Sequence, residues 1–313
     1  MPVMDEEQDL IALTDVAYKE LSRLFKQFDM DRDGLLSQEE VEAAFDIAFD
    51  VENPFSALDP DYMNMTASED GKLTEQGWLS LWTLVTHNNP YSFVQCLLRW
   101  GIKAQLNTFL FVSKKRRYRT SHNEESGAAI GADYSKLVHA YIFGSTRCGK
   151  TSILQNLLGW QVSDDGSYTR TTRKQTAINA VEDDRGELYY LAITEFDDNS
   201  VLDAVESKAV MDLCDIAIMV FDGADPYSFS YLAKLQQQLD TTIPCLYVLS
   251  KTDLDVEEQI YDVPPQDFCD ELGLLWPPFY HCATQYDPEE HRTFEEVLYF
   301  AHHPKDACPI WDA

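Results

Sequence analysis

The sequence predicts a protein of the α + α/β class, with a helical N-terminal part followed by a mostly parallel sheet that is flanked by helices. Apolar residues recur at helical spacing from residue 10 to about residue 105. From Lys136 onward, short apolar runs alternate instead with helical patterns, which is typical of a parallel sheet covered by helices. With 313 residues, the chain is long enough for two domains of ordinary size.

The composition is strongly acidic, with 54 Asp and Glu residues against 24 Lys and Arg residues and a net charge of -30. Such a surface repels phosphate backbones and anionic lipids, so it argues against nucleic-acid binding and against membrane contact within this chain. It attracts cations, of which calcium is the first to consider. The seven cysteines stand singly without a CxxC pair, which favours a reducing compartment and no structural zinc.

The helical part contains four predicted helices. The first two have apolar faces formed by Leu13, Val16, Ala17, Leu21, Leu24, Phe25 and Phe28, and by Val41, Ala44, Phe45, Ala48 and Phe49. The other two cover residues 78–84 and, after the break at Asn88-Asn89-Pro90, residues 93–100. A basic run at 114–119 and a polar stretch follow, and we interpret them as a solvated linker. Docking of the basic run onto an acidic partner or lipid is the alternative.

Residues 29–40, with the sequence DMDRDGLLSQEE, match the twelve-residue calcium loop of EF-hands at every chemical position. Calcium takes roughly six to eight oxygen ligands, and the flanking helices are the context that the motif requires. The predicted ligands are the carboxylates of Asp29, Asp31 and Asp33, the backbone carbonyl of Leu35, both carboxylate oxygens of Glu40 and a water held by Ser37. Gly34 permits the sharp turn, and Leu36 can pair with a neighbouring loop.

EF-hands usually come in pairs, and residues 66–77 are the candidate second loop. Gly71 takes the glycine position and Leu73 the position of the pairing hydrophobe. Thr66 and Gly77 stand where the first and last carboxylate ligands belong, so we predict a degenerate hand that binds no metal and pairs with the first loop. The alternative is a simple Asp70-Gly71 turn.

The part from Lys136 onward is predicted to contain five strands and four helices. The strands cover residues 137–143, 188–193, 216–221, 245–249 and 279–282. The helices lie near 151–158, 226–239, 265–272 and 294–301.

A phosphate-binding loop follows the first of these strands. Residues 144–151, GSTRCGKT, fit the pattern GxxxxGK[ST] between an apolar strand and an apolar helix. Backbone N–H groups of such a loop surround phosphate, the Lys reaches the β- and γ-phosphates, and the Thr hydroxyl binds Mg²⁺. Lys150 and Thr151 are therefore the predicted catalytic residues. The predicted nucleotide-binding residues here are Gly144, Arg147, Cys148, Gly149, Lys150, Thr151 and Ser152.

A base-selecting motif follows the fourth strand at Ser250-Lys251-Thr252-Asp253, where the sequence resembles the Ras-type small GTPases and their [NT]KxD pattern. The Asp253 carboxylate can accept two N–H donors from guanine, and the stem of Lys251 can cover the base. Ser250 replaces Asn, which predicts weaker bracing of the loops. Cys282-Ala283-Thr284 lies where the resemblance has SAK, which implies Cys282 and the N–H of Ala283 as further guanine contacts.

The hydrolytic residues depart from the same family. Its DxxGQ motif corresponds here to Thr194-Glu195-Phe196-Asp197-Asp198, so Glu195 replaces the Asp near magnesium and no Gln orients water. Thr169, Thr171 and Thr172 are candidates for the magnesium-binding Thr of the first switch, and the sequence does not choose among them. These departures predict slow hydrolysis.

An EF-hand pair followed by a Ras-like domain resembles the mitochondrial Rho GTPase (Miro) family. The resemblance rests on DMDRDGLLSQEE, SEDGKLTEQGWLSLWTL, HNNPYSFVQCLLRWGI, FDGADPYSF and VPPQDFC. It implies a fragment containing the second EF-hand pair (10–110), a linker (111–135), the C-terminal GTPase domain (136–303) and a tail (304–313). The acidic start and the lack of an apolar tail agree with an excised fragment that lacks the family's membrane anchor.

The resemblance implies GTP or GDP, Mg²⁺ and Ca²⁺ as cofactors, and motor-adaptor or organelle-tethering proteins as partners. It implies a location on the cytosolic face of the outer mitochondrial membrane and a role in mitochondrial trafficking and morphology. Two function classes remain open: a slow GTPase, and a calcium-responsive adaptor scaffold that binds nucleotide without hydrolysing it. The missing Gln favours the scaffold, while the Lys150-Thr151 pair favours the enzyme.

Overall fold

The computed structural model describes residues 9–46, 53–103, 105–114, 135–160, 162, 171–274, 279–282, 284 and 292–308. Ala48, Phe49, Thr169, Ala283 and most of the predicted linker lie outside these residues. The chain divides into two compact units: Met1–Leu137 with Ile178–Val181 and Leu188–Ala192, and Val138–Ala177 with Glu182–Glu187 and Ile193–Ala313. Within the described residues, no helix is both long enough and apolar enough to cross a membrane.

Five helices and two small antiparallel strand pairs make up most of the described part of the first unit. The helices are α1 (Asp15–Phe28), α2 (Gln38–Asp46), α3 (Glu75–Asn88), α4 (Pro90–Arg99) and α5 (Leu106–Phe109). The strands are β1 (Asp9–Leu13), paired with β4 (Leu110–Lys114), and β2 (Ser68–Glu69), paired with β3 (Lys72–Leu73). These helices confirm the four that the apolar pattern predicts.

The prediction of helix at residues 10–13 was wrong, because that segment forms β1. Thr14 sets the boundary: its side chain accepts a hydrogen bond from the N–H of Ala17 at 3.2 Å and caps α1. Such a cap stabilises a helix by about 1 kcal/mol and fixes extended backbone at the cap residue. The partner strand β4 likewise extends into the start of the predicted linker, with Leu10 opposite Ser113.

An aromatic cluster fills the middle of the first unit. Phe45 of α2, Trp78 and Trp82 of α3, Trp100 and Phe55 lie with ring centroids 5.1 to 6.5 Å apart. The indole N–H of Trp78 donates to the carbonyl of Leu21 at 3.1 Å, and that of Trp100 donates to the carbonyl of Ala44 at 2.9 Å. The first bond fixes α1 against α3 and the second fixes α2 against the end of α4, and both satisfy an indole N–H group.

The two loops of this unit pair through their hydrophobic residues. Leu36 and Leu73 exchange two backbone hydrogen bonds, each 2.8 Å long, and both side chains are fully buried. Asp70 and Gly71 have φ of 51° and 74° and form the two-residue turn between β2 and β3, a conformation that Asp and Gly adopt readily. Residues 66–77 therefore contain the Asp70-Gly71 turn and also a strand that pairs with the first loop. The sequence had offered these two features as alternatives.

The second half of the chain is organised by a six-stranded sheet, which confirms the prediction of a mostly parallel sheet. Its order is β10-β9-β8-β5-β7-β6, and the pairs β10–β9, β9–β8 and β8–β5 are parallel. The strands are β5 (Leu137–Gly144), β6 (Gln175–Glu182), β7 (Leu188–Glu195), β8 (Ile216–Asp222), β9 (Cys245–Ser250) and β10 (Phe279–His281). Of these six strands only β6 was not predicted, because only two of its eight residues are buried and it lacks a continuous apolar run.

Among the described residues, six helices accompany the sheet, and four of them were predicted. They are α6 (Lys150–Leu157), α7 (Val201–Glu206), α8 (Lys208–Met211), α9 (Ser228–Gln236), α10 (Pro265–Glu271) and α11 (Thr293–His302). The parallel register aligns Gly144 with Val220 and Asp222 with Ser250. The carboxyl ends of β5, β8 and β9 therefore meet at one edge of the sheet, where ligands of such folds bind.

Candidate nucleotide and calcium sites

The phosphate loop begins at Gly144, where no other residue fits. A Cβ atom there would lie 2.4 Å from both the Sγ of Cys148 and the backbone oxygen of Val220. Gly149 has φ of 98° and precedes the first residue of α6, and Arg147 also has a positive φ of 69°. This backbone brings successive N–H groups toward the start of a helix, which is the geometry that receives phosphate.

The side chain of Lys150 lies across this loop. Its ammonium donates to the carbonyl oxygens of Gly144 and Ser145 at 3.0 and 2.9 Å, and it lies 3.9 Å from Oε1 of Glu195. Lys150 and Glu195 are both buried, with exposed fractions of 6% and 2%. A buried ammonium beside backbone N–H groups favours a polyanion at this position.

Glu195 gathers three side chains around its carboxylate. The hydroxyls of Thr151 and Thr171 donate to its two oxygens at 2.8 and 3.1 Å, and the amide of Gln175 donates at 2.8 Å. The hydroxyls of Thr151 and Thr171 lie 3.2 Å apart. Of the three threonines that are candidates for binding magnesium, the structure describes Thr171 and Thr172, and Thr171 lies at this cluster. Two hydroxyls and a carboxylate are hard oxygen donors, so the cluster fits Mg²⁺.

The remaining predicted residues of the phosphate loop differ in exposure. Arg147 is exposed, Ser152 is half-buried and Cys148 is buried. Burial raises the pKa of the Cys148 thiol to about 11, so the thiol stays protonated at neutral pH. Cys148 therefore contributes packing and its backbone to the loop, and it is not a nucleophile.

Ser250 links the base-selecting motif to the phosphate loop. Its hydroxyl lies within hydrogen-bond distance of the carbonyl oxygens of Cys148, at 2.5 Å, and Phe221, at 3.1 Å. A hydroxyl carries one proton and can donate to only one of them at a time, whereas an Asn amide carries two. The base-selecting motif is therefore still linked to the phosphate loop in this chain, but by a single hydroxyl donor.

Lys251 and Asp253 of the motif are held by Asp222 and Thr284, contacts that the sequence did not predict. The ammonium of Lys251 bonds to Oδ2 of Asp222 at 2.5 Å, which fixes the lysine at the end of β8. The hydroxyl of Thr284 donates to Oδ2 of Asp253 at 3.1 Å, and the Sγ of buried Cys282 lies 3.5 Å from the same hydroxyl. Thr284 thus orients the carboxylate predicted to read guanine.

The loop after β7 brings a second acidic group to the phosphate loop. The hydroxyl of Thr146 donates to Oδ2 of Asp198 at 3.0 Å. Asp197 lies beside it, and a hydrogen bond from the Ser200 side chain lowers the pKa of Asp197. Asp197 therefore carries negative charge at neutral pH.

In the loop at residues 29–40, carboxylates of Asp29, Asp31 and Glu40 converge, with ligand oxygens within 4.8 Å of one another. Oδ2 of Asp29 accepts the N–H of Gly34 at 3.0 Å, while its buried Oδ1 has no hydrogen-bond partner. A buried carboxylate oxygen without a donor is costly unless a cation compensates it. These oxygens fit calcium.

Hydrogen bonds fix the carboxylate of Glu40 at the end of this loop. Oε1 accepts the N–H of Met30 at 2.8 Å, and Oε2 accepts the N–H and the hydroxyl of Ser37, both at 2.9 Å. Burial alone would raise the pKa of Glu40, but these hydrogen bonds outweigh it and lower the pKa. The predicted carboxylate Asp33 is not part of the converging group. The Leu35 carbonyl stays a predicted ligand.

Curated proteins provide a comparison over most of this chain. "Mitochondrial Rho GTPase 1" of Schizosaccharomyces pombe is 30% identical over 282 residues, which cover 88% of this chain and 42% of that protein. Proteins of the same name from Candida albicans and Saccharomyces cerevisiae are each 28% identical, over 96% and 85% of this chain. This chain is a homologue of the mitochondrial Rho GTPases. No protein-family model matches it.

The alignment covers less than half of each mitochondrial Rho GTPase. The chain spans 40 to 42% of the length of these three relatives. Their homology and the mostly parallel sheet with its accompanying helices fit a Ras-like domain. In this mitochondrial Rho GTPase homologue, Glu195 stands beside Thr151 where the Ras-type pattern has Asp.

Proposed function

We propose that this chain is the calcium- and guanine-nucleotide-binding part of a mitochondrial outer-membrane GTPase. It binds GTP or GDP with Mg²⁺ in the phosphate loop and hydrolyses GTP slowly, and it binds Ca²⁺ in the loop at residues 29–40. The whole protein acts in mitochondrial trafficking and morphology from the cytosolic face, through motor-adaptor or organelle-tethering partners. The relatives named mitochondrial Rho GTPase support this placement.

The observation that carries the nucleotide proposal is the convergence of Lys150, Thr151, Thr171 and Glu195 at the carboxyl edge of the sheet. Lys150 binds the phosphates and supplies positive charge where negative charge develops. Thr151 and Thr171 hold the metal side of the site, and Glu195 orients both hydroxyls. A Mg²⁺ ion held by these residues would offset negative charge on the phosphates.

The Asp253→Asn variant tests base selection. Guanine presents two N–H donors to the carboxylate, and Asn would oppose one of them with its own N–H group. We expect guanine-nucleotide affinity to fall about 10- to 100-fold, because hydrogen bonds to charged groups contribute about 1.5–3 kcal/mol. Xanthine nucleotides, which carry a carbonyl in place of the amino group, should bind this variant better than the parent. Displacement of a fluorescent GDP analogue measures both affinities.

Asp255→Asn is the matched control, because Asp255 is also exposed and lies two residues further along the same loop. Its affinity for guanine nucleotides should stay within about twofold of the parent value, as for an exposed charge away from the ligand. The base-reading proposal is wrong if ATP displaces the analogue from the parent as readily as GTP does.

Intrinsic turnover is expected to be slow, at or below about 10⁻⁴ s⁻¹, the scale of unassisted Ras-like proteins. Gln175 donates to Glu195, and Asp198 adds negative charge beside Thr146. Neither arrangement positions a water or offsets charge on the γ-phosphate. Single-turnover hydrolysis of labelled GTP at saturating Mg²⁺ measures the rate, with Lys150→Ala protein purified in parallel to detect contaminating phosphatase.

The same measurement separates the two function classes. A nucleotide-dependent rate that Lys150→Ala removes supports a slow GTPase. A rate equal in both proteins, with GTP recovered intact from the parent, supports the alternative of a calcium-responsive adaptor scaffold, which the charge of Asp198 next to the phosphate loop favours. A rate near 1 s⁻¹ would contradict the slow-turnover prediction and require a catalytic group beyond those named here.

A further inference from the structure

Lys72 reaches from the second loop into the predicted calcium loop. It lies on β3 next to Leu73, whose backbone pairs with Leu36 of the first loop. Its ammonium makes a close hydrogen-bonded ion pair with Oδ2 of Asp33 and lies 3.7 Å from Oδ2 of Asp31. The loop pairing therefore places a cation from the degenerate half beside two predicted calcium ligands.

Asp33, the predicted ligand closest to the Lys72 ammonium, is also the one that lies outside the group of converging carboxylates. Oxygens of Asp29, Asp31 and Glu40 lie within 4.8 Å of one another, and Asp33 is not part of that group. Both oxygens of Asp33 are engaged elsewhere: Oδ1 accepts the N–H of Leu35 at 2.8 Å, and Oδ2 accepts from Lys72. The ion pair with Lys72 therefore offsets the negative charge that Asp33 would offer to a cation bound by this group.

We propose that Lys72 is an internal competitor for calcium, which sets the affinity of the loop at residues 29–40. The inference rests on the calcium site proposed above. The Lys72 ammonium and a divalent cation compete for the negative charge of Asp33 and Asp31, and their like charges repel each other. Calcium coordination by Asp33 therefore displaces the Lys72 ammonium into solvent. The segment that lacks its own calcium ligands regulates the neighbouring site through this lysine.

The Lys72→Gln variant removes the ammonium while keeping a side chain of similar length. Calcium titration of the full chain by calorimetry should show about three- to tenfold tighter binding than in the parent, with one site in both proteins. The difference should shrink in high salt, because ions screen the ammonium. Lys72→Arg keeps the charge, and its affinity should stay near the parent value.

Lys19→Gln is the matched control for net charge. Lys19 is exposed on α1, ten residues before Asp29, so its removal should change calcium affinity less than twofold. Unchanged or weaker binding in folded Lys72→Gln protein, as judged by circular dichroism, overturns the inference but leaves the calcium site standing. Absence of calcium binding in parent and variant alike overturns the calcium site, and the inference with it.

Discussion

Replacing Lys150 with alanine is expected to weaken triphosphate binding at least about 100-fold. The ammonium lies inside the phosphate loop, and its hydrogen bonds to phosphate oxygens are charge-assisted, each contributing about 1.5–3 kcal/mol. The substitution also leaves Glu195, 3.9 Å away and buried, without its neighbouring cation. Equilibrium binding of a fluorescent GTP analogue measures the loss.

Lys234→Ala provides the comparison for this substitution, since Lys234 is exposed on α9. It should bind the analogue like the parent. Thermal unfolding of both variants without nucleotide, followed by circular dichroism, separates lost binding from lost folding. GTP affinity in folded Lys150→Ala protein within a few-fold of the parent would refute the assignment of the phosphate loop.

Replacing Glu40 with alanine is expected to abolish calcium binding nearly completely. In an EF-hand loop the glutamate at the last position supplies two of the oxygen ligands. Here the same carboxylate also accepts the N–H groups of Met30 and Ser37, so its loss frees both ends of the loop. Calorimetry should show one site in the parent, with a dissociation constant of about 10⁻⁷–10⁻⁵ M, and no measurable site in the variant.

Glu39→Ala is the paired control. Glu39 precedes Glu40 on α2 but is exposed, so the variant loses the same charge without losing a predicted ligand. It should retain one site with nearly parental affinity. Two equivalent sites in the parent would show that the second loop, at residues 66–77, also binds metal, contrary to the predicted degenerate hand.

Motifs whose residues are close in sequence were predictable because their spacing alone fixes their geometry. The phosphate-loop pattern spans eight consecutive residues, and in the structure Gly144 leaves no room for a Cβ atom and Lys150 is buried. Phosphate binding by this loop stays a prediction. The pairing of Leu36 with Leu73 followed from the position of each within a repeated loop. In both cases the order of residues within one short loop determines the backbone conformation, so long-range contacts are not needed to predict it.

Contacts across long stretches of chain were not predictable in the same way. Gln175 bonds to Glu195 from β6, a strand with partly exposed side chains and no clear alternation. Lys72 contacts Asp33 from 39 positions away. Leu13 stands at helical spacing from Ala17 and yet pairs in a strand with Leu110, because the capping side chain of Thr14 decides where α1 begins. Periodicity carries no information about such partners.

The aromatic cluster of the first unit gives this chain an intrinsic spectroscopic reporter. Trp78, Trp82 and Trp100 lie 5.6 to 6.4 Å apart, close enough for their indole transitions to couple. Phe45 of α2 packs against all three indole rings. Helix α2 begins inside the loop at residues 29–40 and contains Glu40. A rotation of α2 on metal binding would change indole packing, so near-ultraviolet dichroism can follow this loop without an attached dye.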